Sequence, residues 1–368
     1  SVRVAHNLYW LLKQNLDDPL FSYRSRIFLN ALLSTCGESL LNLFENQESL
    51  LVQLSGASDH LKVTKDSLRL VTLWRDLEPV NDFLKQNKVT LPLSPSVTVA
   101  EIDIKSCSYF TSNTLPLRLS FKSDQNYSSN NKIEAIYKVG DDLRQDSLTM
   151  QMVKIMDKLW LKEGLDLKIV TFDCIATDVR KGFVQIVKNA ETLRKIQTEY
   201  GITGSFKDCC IAEWLQKYNT SELEYQQAVD NFTYSLAGYV VATYILGIGD
   251  RHNDNIMITT SGHLFHIDFG KYLGDAQMLG TIKRDRTPFI LTSDMAYVIN
   301  GGDKPTKHFQ YFIDFCCQAF NIIRRHTNLF LNLFSLMVSS NIPGLSADAV
   351  KYIHRTLLPS LTEAEATS

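Results

Sequence analysis

The hydrophobic period changes twice along this chain, and that alternation limits the folds open to it. Through residues 1–87 apolar residues recur at helical spacing: Leu8, Leu11 and Leu12 share one face, and Leu29, Leu32, Leu33, Leu40, Leu43 and Phe44 form others. Gly37 and Gly56 offer breaks and Pro79 suits a helix start or connector, so the segment reads as the end of a helical array. Leu91-Pro92-Leu93-Ser94-Pro95-Ser96 reads as a linker. Beyond it the period falls to two in Val97-Thr98-Val99, Leu117–Phe121 and Ile133–Val139. Leu148, Met152, Ile155, Met156 and Leu159 restore a helix that Gly164 would stop. Ile169–Phe172 and Phe183–Val187 read as further strands, and helices dominate after Asn189. The expectation is an α+β protein with an all-α segment at 1–90, a small sheet domain at 91–187 and a larger helical domain at 188–368.

At 368 residues the chain can bury a sizeable core, and 45% hydrophobic with 21% charged residues is ordinary for a folded domain. A net charge of −2 gives no global attraction to nucleic acid or anionic lipid, so such contact requires a local patch. Its 7 cysteines form no CxxC pair, a pattern suited to reduced thiols in a cytoplasmic protein. No signal peptide is visible, and the start at Ser1 suggests a processed piece of a longer protein. The apolar stretch 309–338 is interrupted by Asp314, Arg324, Arg325 and His326, which argues for a buried helix pair rather than a transmembrane segment.

Chemistry concentrates in Asp250-Arg251-His252-Asn253-Asp254-Asn255 and His266-Ile267-Asp268-Phe269-Gly270, joined by a hairpin pattern turned at Ser261-Gly262. Asp250 and Asn255 have the order and spacing of the protein-kinase catalytic loop, and Asp268-Phe269-Gly270 follows as its metal-binding element does. Phosphoryl transfer needs Mg²⁺ ligands and a positioned acid or base. Asn255 and Asp268 supply hard oxygen donors for Mg²⁺ shared with phosphate; the bland alternative has Asp268 merely capping a turn. Asp250 and His252 are rival proton-transfer groups, and the residues themselves do not decide between them. Arg251 could tie the loop to a carboxylate. His263 and His266 fall on opposite faces of an apparent strand, His263 toward solvent and His266 as a hydrogen-bonded core residue.

Lys138 ends a strand and can hold nucleotide phosphates, although a strand-edge Lys is usually plain surface. Asp146, opening the following helix, could anchor it. No GxGxxG precedes Lys138; the corresponding hairpin carries Tyr109–Pro116, whose small polar side chains could cover phosphates or form an ordinary turn. Lys283-Arg284-Asp285-Arg286 is usually a solvated run, but after Asp268 it is placed to hold an anionic head group.

Lys138 with Gly140-Asp141-Asp142-Leu143-Arg144-Gln145-Asp146, the loop Gly249–Asn255 and the segment His266–Gly274 together resemble the phosphoinositide 3-kinase catalytic core. The cluster 283–289 with Leu291–Met295 most resembles the class II branch, its gamma group in particular. The resemblance covers essentially the whole chain. It implies a two-lobed, protein-kinase-like lipid kinase domain preceded by an accessory helical-repeat segment, using ATP and Mg²⁺ on phosphoinositide lipids at a membrane surface. By that pattern Ser112 and Asn113 cover phosphate, Lys138 contacts it, Gln185, Ile186 and Val187 form the adenine hinge, and Phe172 takes an inner-pocket position. Met257 and Ile267 floor the adenine pocket, Asn255 and Asp268 bind Mg²⁺, and Lys283, Arg284 and Arg286 meet the lipid.

Residues 272–282 contain no Lys or Arg, unlike class I enzymes that take the bisphosphorylated lipid, so phosphatidylinositol and its 4-phosphate are the expected substrates. The chain also stops before the last membrane-facing helix of that family, which keeps a nucleotide-binding scaffold without autonomous activity as the alternative. A 4-kinase or a protein kinase of the same superfamily is a further reading, disfavoured by the basic cluster. Peripheral membrane association of a cytoplasmic protein, with no nucleic-acid partner, completes the expectation.

Overall fold

A computed structural model describes residues 1–123, 132–201, 208–274, 278–279, 282–283 and 289–368. It resolves into two compact units, residues 1–147 with 172–186, and residues 148–171 with 187–368. Residues 148–171, expected with the sheet domain, therefore pack with the second unit.

The first unit opens with α1 (Val2–Lys13), α2 (Ser22–Thr35), α3 (Glu38–Val63) and α4 (Arg69–Gln86). Gly56 does not break α3: its α-carbon faces open space, and buried Leu50, Leu54 and Leu61 hold the turns on either side, outweighing a glycine penalty of about 1 kcal/mol. Pro79 likewise lies inside α4, between buried Leu73, Leu77, Val80 and Leu84. The presumed linker is a hairpin turn, with β1 (Val89–Leu91) pairing antiparallel with β2 (Ser94–Ile102). Val89 and Leu91 are buried, so this stretch is core rather than connector.

β3 (Ser108–Tyr109), β4 (Leu117–Ser123), β5 (Lys132–Val139), β6 (Cys174–Asp178) and β7 (Lys181–Gln185) complete a seven-stranded sheet of order β1-β2-β4-β5-β7-β6, with β3 on β4. Period two is obeyed in β5: Ala135, Tyr137 and Val139 are buried while Ile136 and Lys138 lie on the other face. Tyr137 joins one hydrophobic core with Phe44, Leu54, Leu77, Leu119 and Phe183, and its hydroxyl meets the Ser55 hydroxyl at 2.8 Å. Each such side chain contributes about 1.5–3 kcal/mol on burial. Ile169–Phe172 carries no ladder; the strand begins at Cys174, downstream of Lys168 at φ 51°.

α5 (Arg144–Lys162) leads into the second unit, where the Trp160 indole donates to the Ala319 carbonyl at 2.9 Å. There β8 (Ala190–Thr192), α6 (Leu193–Glu199) and α7 (Cys210–Tyr218) precede α8 (Glu222–Leu246). A Ser221/Glu224 capping box starts α8 and left-handed Gly247 ends it. Every residue from Ser235 to Thr243 is buried, so this helix is the hub of its unit. β9 (Ile256–Thr259) and β10 (Leu264–His266) form the anticipated hairpin, and β8 adds to β9. β11 (Met278–Leu279) pairs with β12 (Ile282–Lys283), and α9 (Ser293–Asn300), α10 (Lys307–Arg325), α11 (Thr327–Met337), α12 (Ala347–Leu357) and α13 (Glu363–Thr367) follow. α10 and α11 are amphipathic rather than fully buried, exposing Tyr311, Ile313, Leu329 and Leu336.

Candidate phosphoryl-transfer site

Pairing of Ile256 with His266 at the open end of the β9–β10 hairpin sets Asn255 beside Ile267, whose amide donates to the Asn255 carbonyl at 3.0 Å. The loop after α8 and the segment after β10 are thereby brought together. The Asn255 side chain is buried at 4% exposure. It donates to the Asp250 carbonyl at 2.6 Å and accepts the His252 amide on Oδ1 at 2.9 Å. Those two bonds fix which way the amide points, and Oδ1 keeps a second lone pair.

Arg251 is the clasp between the two segments. Its Nε donates to the Gly249 carbonyl at 2.9 Å, its Nη1 to Ile267 O at 2.8 Å and its Nη2 to the Asp268 carbonyl. The guanidinium also lies 5.6 Å from the Phe269 ring centroid. Three main-chain carbonyls thus converge on one guanidinium. Asp250 and Asp268 both take left-handed backbone conformations, at φ 55° and 60°. Such conformations cost of order 1–3 kcal/mol and persist where surrounding bonds over-determine them, as Arg251 and Asn255 do here.

His252 is exposed, with Nδ1 accepting the Asp254 amide at 3.2 Å. In the neutral ring that bond leaves the proton on Nε2. Asp254 forms an ion pair with Arg194 at 2.7 Å. Asn253 donates to Gln197 at 2.7 Å, and Gln197 donates onward to buried Asp294 at 3.0 Å. Asn253, Gln197 and Asp294 moor the loop to α6 and α9; Asn253 and Asp294 lie within the motifs above without a role of their own, and Gln197 carries no local signal.

His266 is the core residue expected, whereas His263 is half-buried rather than turned to solvent. His263 is half-buried, with Nδ1 3.0 Å from the Ser261 hydroxyl, and burial lowers its pKa. His266 stacks on Tyr239 at 5.3 Å and is buried with Nδ1 unbonded; burial, then the Arg251 charge, hold its pKa well below the ordinary value.

Ile256, Ile258, Leu264 and His266 occupy one face of the hairpin, and Met257 lies opposite Phe265 on the other, half-buried like Ile267. Among the described residues no group of three or more His, Cys, Asp or Glu is placed to hold a metal. Exposed Asp268 and the oriented Asn255 oxygen suit Mg²⁺ completed by phosphate and water.

In the first unit, Lys138 lies opposite Gly182 on the less buried face of β5, and Asp146 is buried at the start of α5. Ser112 and Asn113 are exposed in a turn closed by the Phe110 amide on Pro116 O at 2.9 Å. Thr114 ties this turn to the chain after Lys138, donating to Asp141 at 3.1 Å. A β-carbon on Gly140 would meet the Thr114 methyl at 3.2 Å. Phe172 is buried at 3% exposure. The Gln185 amide oxygen accepts from Asp173 N at 2.9 Å and Ile186 N donates to Glu134 O at 3.1 Å, while Val187 is the first residue of the following unit. The side chains of Lys283, Arg284 and Arg286 lie outside the described residues.

The kinase-type loop at 249–255 and the Asp268-Phe269-Gly270 segment, joined at the mouth of a hairpin, define the class. The chain belongs to the phosphatidylinositol 3- and 4-kinase family, whose model matches residues 132–347. It is 55% identical over its whole length to phosphatidylinositol 4-phosphate 3-kinase C2 domain-containing subunit alpha of Pongo abelii, and 53% identical to the human beta subunit, covering 22% of each. The human phosphatidylinositol 3-kinase C2 domain-containing subunit gamma is 44% identical, with 25% of it covered. The gamma group expected from the basic cluster is thus not favoured over alpha and beta. The chain spans about a fifth to a quarter of the length of these relatives.

Proposed function

We propose that this chain transfers the γ-phosphoryl group of ATP to the 3-hydroxyl of phosphatidylinositol and phosphatidylinositol 4-phosphate at a membrane surface. The observation that carries the reading is the stitching of Asp250, Asn255 and Asp268 by Arg251 and the hairpin mouth. Asn255 Oδ1 and the Asp268 carboxylate would hold Mg²⁺, whose chemistry there is charge neutralisation on the phosphate oxygens. Lys138, Ser112 and Asn113 would contact phosphate, and Gln185, Ile186, Val187, Phe172, Met257 and Ile267 the adenine. With His252 Nδ1 occupied by the Asp254 amide, its Nε2–H is disposed to donate to phosphate. Asp250 then takes the proton from the attacking hydroxyl.

The relatives' names and the absence of Lys or Arg in residues 272–282 support the two less-charged lipids. Lys283, Arg284 and Arg286 would hold the head group. Among the described residues no helix is long and apolar enough to cross a membrane, and a peripheral, cytoplasmic association is part of the proposal. Purified protein given ATP, Mg²⁺ and each lipid should yield the 3-phosphorylated product, with Asp268→Ala abolishing it. Transfer of the new phosphate to the 4-hydroxyl of phosphatidylinositol, or equal and negligible rates for both proteins, would overturn the reading.

A further inference from the structure

Five residues around the proposed reacting groups are left-handed: Gly247, Asp250, Asp268, Leu273 and Gly274. Two of them, Gly247 and Gly274, meet the same side chain. A β-carbon on Gly247 (φ +55°) would lie 2.6 Å from the Tyr352 hydroxyl, and one on Gly274 (φ +82°) would lie 2.7 Å from the Tyr352 ring. Tyr352 stands on α12 and fits only because both positions lack that carbon. The two glycines belong to main-chain segments that bond to each other. Leu273 N donates to Leu246 O at 2.7 Å, Gly249 N to Lys271 O at 3.0 Å, and Gly274 N to Gly247 O at 3.5 Å. One segment runs directly into Asp250; the other emerges from Asp268-Phe269-Gly270. The Tyr272 hydroxyl donates to Pro343 O at 2.8 Å, a second tie to the C-terminal region.

We propose that Tyr352 is a positioning residue, its ring wedged against Gly247 and Gly274 so that α12 keeps the chain entering Asp250 in register with the chain leaving Asp268. The inference rests on the reading of Asp250, Asn255 and Asp268 as proton-transfer and metal-binding groups. A left-handed Leu273 is strained and holds only while its neighbours constrain it. Removing the wedge opens a void beside both glycines, and the paired segments gain freedom. The spacing of Asn255 and Asp268 then drifts, and the affinity for the ion they share falls.

Hydrogen exchange on the full chain, without nucleotide, tests the wedge; the Mg²⁺ dependence of lipid phosphorylation tests its consequence. Tyr352→Ala should accelerate exchange roughly tenfold in peptides covering 246–250 and 271–274, leaving 236–243 unchanged. Tyr352→Phe keeps the ring and should stay close to the unsubstituted protein. Gly274→Ala, which drives the ring away, should reproduce the Tyr352→Ala pattern even if that variant fails to fold. The Mg²⁺ concentration at half-maximal rate should rise several-fold in Tyr352→Ala and recover in Tyr352→Phe. Unchanged local exchange in both disruptive variants would overturn the wedge. Faster exchange with an unchanged Mg²⁺ requirement would overturn the positioning role. Local loosening in a chain that phosphorylates no lipid even unsubstituted would support the wedge and overturn the proposed activity instead.

Discussion

The side chain of Asn255 donates to the main-chain carbonyl of Asp250 at 2.6 Å, so the residue proposed to hold metal also sets the backbone of the residue proposed to take the proton. Asn255→Ala removes this bond and the acceptor for His252 N. Losing two part-buried bonds, each worth about 0.5–1.5 kcal/mol, should lower stability by about 1–3 kcal/mol, read by chemical denaturation. Lipid phosphorylation should fall beyond detection. Activity within twofold of the starting protein would sink both roles.

Arg251→Lys preserves charge but not geometry. One ammonium cannot serve the Gly249, Ile267 and Asp268 carbonyls, which lie in three directions from the guanidinium. kcat should drop by about 10- to 100-fold with the substrate KM nearly unchanged, the mark of lost alignment. A rise in KM alone at constant kcat would point to a binding role instead.

Gly262→Ala tests the hairpin turn. Its β-carbon would sit 2.0 Å from the Ala228 carbonyl oxygen, at φ +93°. Denaturant titration should show a loss of about 2 kcal/mol or more, and a loss under about 0.5 kcal/mol would show that α8 can shift to make room.

That turn was readable in advance because Ser261-Gly262 stands between two alternating runs, and the hairpin in turn announced where Asn255 and Ile267 would meet. The left-handed backbones of Asp250 and Asp268 were not readable, since their causes are carbonyls and amides brought together by tertiary contact. Arg251 reads as a tether, but the main-chain carbonyls it binds leave no mark on residue type. Gln197 and Asp294 are 97 residues apart in the chain, a pairing that no local pattern encodes. Leu91–Ser96 misled because Pro and Ser suit a tight turn as well as a linker.

Acid should weaken the helical segment through His6. Its ring is fully buried, bonded to Gln47 at 3.1 Å, and burial lowers its pKa below the ordinary 6.5. A depressed folded-state pKa means the unfolded chain binds the proton more readily, so this contribution is complete above about 6.5 and is lost as pH falls toward the folded value. His6→Gln keeps a donor for Gln47 and cannot titrate. Its melting temperature should vary less between about pH 7 and 5; parallel curves would remove His6 from the account.

Lipid preference should respond to charge placed after Asp268. Gln277→Lys with Met278→Lys adds two cations to a stretch, residues 272–282, that has no Lys or Arg. The rate on the bisphosphorylated lipid should rise relative to the other two. An unchanged order among the three lipids would count against head-group charge as the selector.

The sheet that bears Lys138 has its buried face filled by Phe44, Leu54 and Leu77 from the helices before it. A recombination breakpoint placed near residue 90, where composition suggests a seam, would cut through shared interior rather than between modules. Descendants of such an event would inherit a sheet with one face stripped to water. The helices and the sheet are therefore expected to travel through evolution as a single cassette, and coding boundaries that survive shuffling should fall outside the pair.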